Sequence, residues 1–161
     1  PVLKLEILCV GKLKEDYLRK ACAEYEKRMG AFAKVTITEL PESRLPQEPS
    51  PAQIEDCIRK EGQTILSRIP SQAQVITLCI EGEMLSTPQL AARMQQLQNQ
   101  GASHLIFVIG GSWGLAEEVK ARSGLRLSMS RMTFPHQLAR VMVMEQLYRA
   151  LNINQGGKYH K

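Results

Sequence analysis

A chain of 161 residues, 43% hydrophobic and 23% charged, has the size and make-up of one globular domain that buries a core without disulfide or metal staples. Its net charge of +5 is unevenly placed: residues 120–161 carry eight Lys/Arg against one acid, a net of +7, while the rest carries 13 against 15, a net of −2. That asymmetry predicts a localised anionic partner such as RNA, and the absence of any apolar run near ~20 residues or of a signal-peptide core argues against a membrane and for the cytoplasm.

In chain order, Val2 to Val10 alternates apolar and polar residues before turning apolar, a first strand closed by Gly11. Lys14 to Met29 has helical spacing (Tyr17, Leu18, Ala21, Cys22, Tyr25) and closes at Gly30, read as a C′ residue. Lys34 to Leu40 is a β-branched strand. Pro41 to Pro51 holds four prolines and reads as a mobile loop or lid. Ala52 to Arg68 is a second helix, and Val75 to Ile80 a continuously apolar strand ending in Glu81-Gly82-Glu83. Ser86-Thr87-Pro88 opens a third helix, which Gly101 stops. His104 to Ile109 is another buried strand, followed by Gly110-Gly111-Ser112-Trp113-Gly114. A short helix over 117–122 and a strand over 125–132 lead to Pro135, whose fixed φ suits the first turn of a helix running to about Leu151. The tail, 155–161, reads as flexible, basic and aromatic. Strands alternating with helices predict an α/β fold, a mainly parallel sheet flanked by helices in a single domain over 1–161.

Ligands in such sheets bind beyond the carboxyl ends of strands, and three ends qualify: Leu78 to Gly82, Ile109 to Gly114 and Met129 to Phe134. GGxxG is neither a dinucleotide nor a Walker spacing, so a simple strand-to-helix turn fits it equally. Cys9, Cys22, Cys57 and Cys79 show no CxxC pair and read as free thiols, and His104, His136 and His160 show no ligand spacing, so no metal is expected. His104 reads as structural. His136, at a helix N-terminus that disfavours its cationic form, reads either as a neutral base or as a simple exposed residue.

LCIEGE at 78–83, FVIGGSWGL at 107–115, TFPHQLARVMVMEQLYRA at 133–150 and KYH at 158–160 resemble the ribosomal large-subunit pseudouridine methyltransferase H family, of the SPOUT class of knotted methyltransferases. The resemblance spans the whole chain. It implies a C-terminal deep trefoil knot, a homodimer, S-adenosylmethionine as cofactor, and methylation of N3 of a pseudouridine in a stem-loop of 23S rRNA, within the large subunit or whole ribosome. Carried across residue by residue, it places Leu78, Gly110, Met129, Ser130, Arg131, Met132, Thr133 and Phe134 around the cofactor. The Pro135-His136 turn and the Tyr159-His160 tail match the family too. Ser112-Trp113 departs from it, since relatives often carry Pro-Glu there.

On these residues we expect His136 or His160 to manage the N3 proton, Arg140, Arg149 and Lys158 to bind phosphates, and Tyr159 to stack on a base. The Val141/Met144/Tyr148/Leu151 stripe is expected to form the dimer interface, so that one subunit's tail reaches the other's cofactor. The rival readings are a non-enzymatic RNA-binding module, which has no reason to bind the cofactor, and a knotted methyltransferase acting on transfer RNA.

Overall fold

The computed structural model of the chain describes residues 2–161; Pro1, the first residue of the expected domain, lies outside them. Strands and helices alternate throughout: β1 (Lys4–Val10), α1 (Asp16–Met29), β2 (Lys34–Leu40), α2 (Pro51–Ser67), β3 (Gln74–Met84), α3 (Thr87–Asn99), β4 (His104–Ile109), α4 (Glu117–Arg122), β5 (Leu125–Ser128) and α5 (His136–Asn154). The five strands form one sheet in the order β2-β1-β4-β3-β5, and every pairing is parallel. All strand carboxyl ends therefore lie at one edge, and every return path needs a crossover, which the helices supply.

Alternation along each strand sorts the core into two layers. Leu5, Ile7 and Cys9 of β1 and Leu105, Phe107 and Ile109 of β4 face α1, α3 and α5, while Leu8, Val10, Ile106 and Val108 face α2 and α4. Phe107 is fully buried at the centre of the sheet; truncating such a ring costs about 3–5 kcal/mol. All four cysteines are free and buried, as read from their spacing, and burial pushes the Cys9 thiol up to about 12.

Local chemistry sets the helix starts. Ser50 before Pro51 and Ser86 before Thr87-Pro88 each accept the N3 backbone N–H, and Gln53 and Gln89 return the bond to the cap N–H. Gly101, with φ +100, stops the third helix as expected. Gly30 differs: it is right-handed, with φ −57, so it ends α1 without a left-handed turn. The strand expected over 125–132 stops at Ser128, because the Ser128 and Ser130 hydroxyls turn the chain onto its own backbone.

The helix α5 lies between α1 and α3, and its first turn sits beside the end of β1, where the Lys14 N–H reaches Gln137 Oε1 at 3.3 Å. Since β5 is the opposite edge strand, residues 129–135 must cross the carboxyl ends of β3 and β4 to reach it. That crossing places the site.

Candidate active site

Three backbone irregularities at this edge make a cavity. In β3, Leu78 pairs with Leu127, and pairing resumes with Glu83 opposite the same Leu127, so Cys79 to Gly82 leave the ladder. Gly82 allows this, because a Cβ there would lie 2.6 Å from the Arg126 carbonyl oxygen. After β4, Gly110 has no room for a side chain either: its Cβ would lie 2.9 Å from Leu115 and 3.0 Å from the Gly114 backbone. The turn is closed by the Gly114 N–H donating to Gly111 O at 3.1 Å, with Gly114 left-handed at φ +88. Third, the Ser130 hydroxyl accepts the Met132 N–H at 3.0 Å and fixes the crossing segment.

The resulting cavity has a volume of about 440 Å³, within the ~300–1,000 Å³ of small-molecule sites, and its walls are mostly apolar side chains and glycine backbone. Leu78, Gly110, Met129, Ser130, Met132, Thr133 and Phe134, expected around a cofactor, all line it, as does His136. Arg131, expected with them, is exposed and does not. Cys79 and Ile80, within the strand end expected to meet a ligand, line it too, and so do Leu115 and Ala139; Cys79 and Ile80 leave the ladder through the register shift, which no periodicity reveals. His136 is the first residue of α5, following Pro135, and no side chain caps that helix start.

The other expected side chains lie elsewhere. Arg140 is not a free cation but a core residue, 2% exposed, paired with Glu39 and donating to Gly11 O at 3.0 Å. An expected phosphate ligand is thus an internal tie between α5 and the ends of β1 and β2, and its Nε–H is left without an acceptor. Part of the basic excess of the C-terminal quarter is engaged in the same way: Lys120 pairs with Glu81, Arg126 with Glu117 and Arg149 with Glu145, while Arg122 donates to backbone oxygens of Pro70 and Ala73. The Lys120 hydrogen bond holds the Glu81 carboxyl below its usual range. His104 bonds Glu6 at 3.1 Å, a structural role as expected.

The tail is not loose. Gly157 N–H donates to Asn152 O at 2.9 Å, Tyr159 N–H to Asn152 Oδ1 at 3.1 Å, and the Tyr159 hydroxyl to Glu145 Oε2 at 2.7 Å. The Tyr159 ring meets Tyr148 edge-on at 4.7 Å, with Arg149 at 4.8 Å from its centroid. Arg149 lies 3.1 Å from His160 Nδ1; a guanidinium only donates, so Nδ1 accepts and the ring proton sits on Nε2. His136 and Tyr148 are twelve residues apart on one helix, roughly 18 Å at 1.5 Å per residue, so the tail docks far from its own cavity. The expected interface stripe is also corrected: Met144 and Leu151 are buried in the chain's own core, and only Val141 and Tyr148 are partly exposed.

Among the described residues no group of three or more His, Cys, Asp or Glu could hold a metal, and no helix is long and apolar enough to cross a membrane. A family model described as Predicted SPOUT methyltransferase matches residues 3–160. The chain belongs to the SPOUT methyltransferase family, and it is a methyltransferase. SPOUT methyltransferases generally use S-adenosylmethionine. The cavity fits such a group: its volume suits a small molecule, its walls are mostly apolar, and Gly110 and Gly114 leave backbone without side chains along its lining.

Proposed function

We propose that the protein methylates N3 of a pseudouridine in a stem-loop of 23S rRNA, on the large subunit or whole ribosome in the cytoplasm, as a homodimer with S-adenosylmethionine held in the cavity described above. The observation that carries this reading is the convergence of Leu78, Gly110, Met129, Ser130, Met132, Thr133 and Phe134, residues the whole-chain resemblance assigns to the cofactor, on one cavity with His136. Bound there, the cofactor supplies an electrophilic methyl group. Leu78, the Gly110 backbone and Met129, Ser130, Met132, Thr133 and Phe134 would hold it there. In this reading the crossing segment is also the threaded part of a trefoil knot, in keeping with its path over β3 and β4.

N3 of the base carries a proton that leaves as the N–C bond forms. His136, on the cavity wall at an uncapped helix start, accepts it. Apolar walls exclude competing water, and positioning supplies the rest of the acceleration. The tail completes the site from the partner subunit: its own cavity lies a helix length away, whereas a two-fold partner brings Tyr159 and His160 of one chain to the cavity of the other. Lys158 then stands beside the RNA.

Calorimetric titration with S-adenosylmethionine, followed by transfer of a labelled methyl group to ribosomes and mapping of the modified base, tests this. Micromolar binding with label at pseudouridine N3 is expected. Absence of cofactor binding, or label on transfer RNA alone, would sink the reading.

A further inference from the structure

Trp113 is the only tryptophan in the chain, and it is kept out of the core, 48% exposed. It stands at the tip of the turn whose bases, Gly111 and Gly114, are bridged to each other, and its neighbours Ser112 and Gly114 both line the cavity. The turn is fixed from outside as well, because the Ser112 hydroxyl donates to Glu42 Oε1 at 3.2 Å. Among the described residues no aromatic pair or cation–π contact involves the indole. A large flat ring, held half-exposed on a bridged turn at a cavity mouth and without an aromatic or cationic partner among the described residues, is shaped to receive another flat group.

The carboxylate against the turn, Glu42, is already bonded to the Ser112 hydroxyl, and the unpaired charges nearest the mouth are cationic. Arg131 is exposed between two lining residues, and Lys12 and Lys14 follow β1 where its end meets Gln137 of α5. None of the three has an ionic partner among the described residues. A purely apolar protein surface seated on Trp113 would desolvate these cations without compensation. An RNA loop satisfies both, offering splayed bases to the ring and phosphates to the cations.

We propose that Trp113 is a stacking platform for an unpaired base of the RNA substrate, adjacent to the base entering the cavity, with Arg131 on the neighbouring phosphate. The proposal rests on the RNA reading above and adds a specificity-determining residue to it. Stacking reads a π-face rather than a hydrogen-bond pattern, so the platform tolerates sequence change but not loss of the loop.

The test uses the full chain saturated with S-adenosylmethionine. As the sole tryptophan, Trp113 reports directly: a stem-loop RNA carrying the target sequence is expected to quench its fluorescence. Trp113→Ala is expected to raise KM for ribosomes on the order of tenfold with cofactor affinity within about twofold of wild type, and Trp113→Phe to restore most of the loss. An unchanged KM in Trp113→Ala overturns the platform. So does a loss that phenylalanine fails to rescue and that falls equally on cofactor affinity, which makes the indole a brace for the turn. Monomerisation of Trp113→Ala in sedimentation overturns it too, making the indole a subunit contact. If the wild type binds cofactor but methylates no ribosome, the functional reading fails by itself; quenching by the stem-loop then still supports the platform, and absence of quenching overturns it.

Discussion

The two ends of α5 are built from similar residues and are used in opposite ways. At the first turn, His136 lies on the wall of a cavity and no side chain caps the backbone. At the last turns, Glu145, Tyr148, Arg149 and Asn152 are saturated by the chain's own tail. One end is left open to a ligand and the other is closed by Tyr159 and His160. On the proposed reading the difference has a use: in a homodimer the tail stored at one end of α5 would close the cavity that the partner leaves open at the other.

The sharpest way to break that comparison is to disable the ends in separate chains. His136→Ala and a chain lacking residues 156–161 should each lose at least about a hundredfold in single-turnover methyl transfer. When the two are unfolded and refolded together, random pairing should return about a quarter of wild-type activity, since half the dimers are mixed and each holds one complete site. No recovery on mixing would place both groups in one chain's site, and an unchanged rate for His136→Ala would remove it from proton transfer.

Arg140→Ala tests the tie that holds the open end in place. Losing the guanidinium leaves Glu39 and Gly11 O without their partner, and because Glu39 is about one-third exposed the cost should sit at the lower end of a broken buried pair, about 3 kcal/mol, read from denaturant midpoints. A surface phosphate ligand would instead leave stability untouched and weaken RNA binding.

Gly110→Ala should lower S-adenosylmethionine affinity by about tenfold in calorimetry and lower the melting temperature with it, because the new Cβ meets Leu115 and the Gly114 backbone beside the cavity. Equal affinity would place the cofactor elsewhere.

The smallest effect concerns the closed end. The Glu145 hydrogen bond, with burial behind it, raises the Tyr159 pKa above the ordinary tyrosine value of 10. A raised pKa means the tail contact is fully present below the unfolded value and is lost as pH rises through the folded one. Absorbance titration of phenolate in wild type against Tyr159→Phe should show one tyrosine fewer in the late-titrating fraction; an early-titrating Tyr159 would mean an undocked tail.

Much of this was legible beforehand, for a physical reason in each case. β2, β4 and α4 have the bounds read from pattern and punctuation: burial on two faces leaves β4 an unbroken apolar run that glycine ends, and the β-branched alternation of β2 stops before Pro41. The three strand ends around the cavity followed from the parallel topology alone. Arg140 was misread because an arginine on an amphipathic helix ordinarily faces water, and its partner Glu39 is 101 residues away. The stripe of α5 was misassigned for a related reason: a helix wedged between two others buries more than one face, so apolar spacing marks burial without saying against what. The tail's docking depends on the amide of Asn152 and the carboxylate of Glu145, neither of which carries a sequence signal for it.

The bond from Arg140 to Gly11 joins positions 129 apart, and β1 receives one neighbour from residues 34–40 and the other only from 104–109. The middle of the sheet therefore stays unfinished until two-thirds of the chain exists, and the cavity until α5 closes over it. Such long-range closure is slow, and a chain leaving the ribosome carries its first strand half-paired from residue 40 until β4 emerges at 104–109. Folding here has no early, partly competent stage: the last helix to emerge is the one that turns a sheet edge into a site.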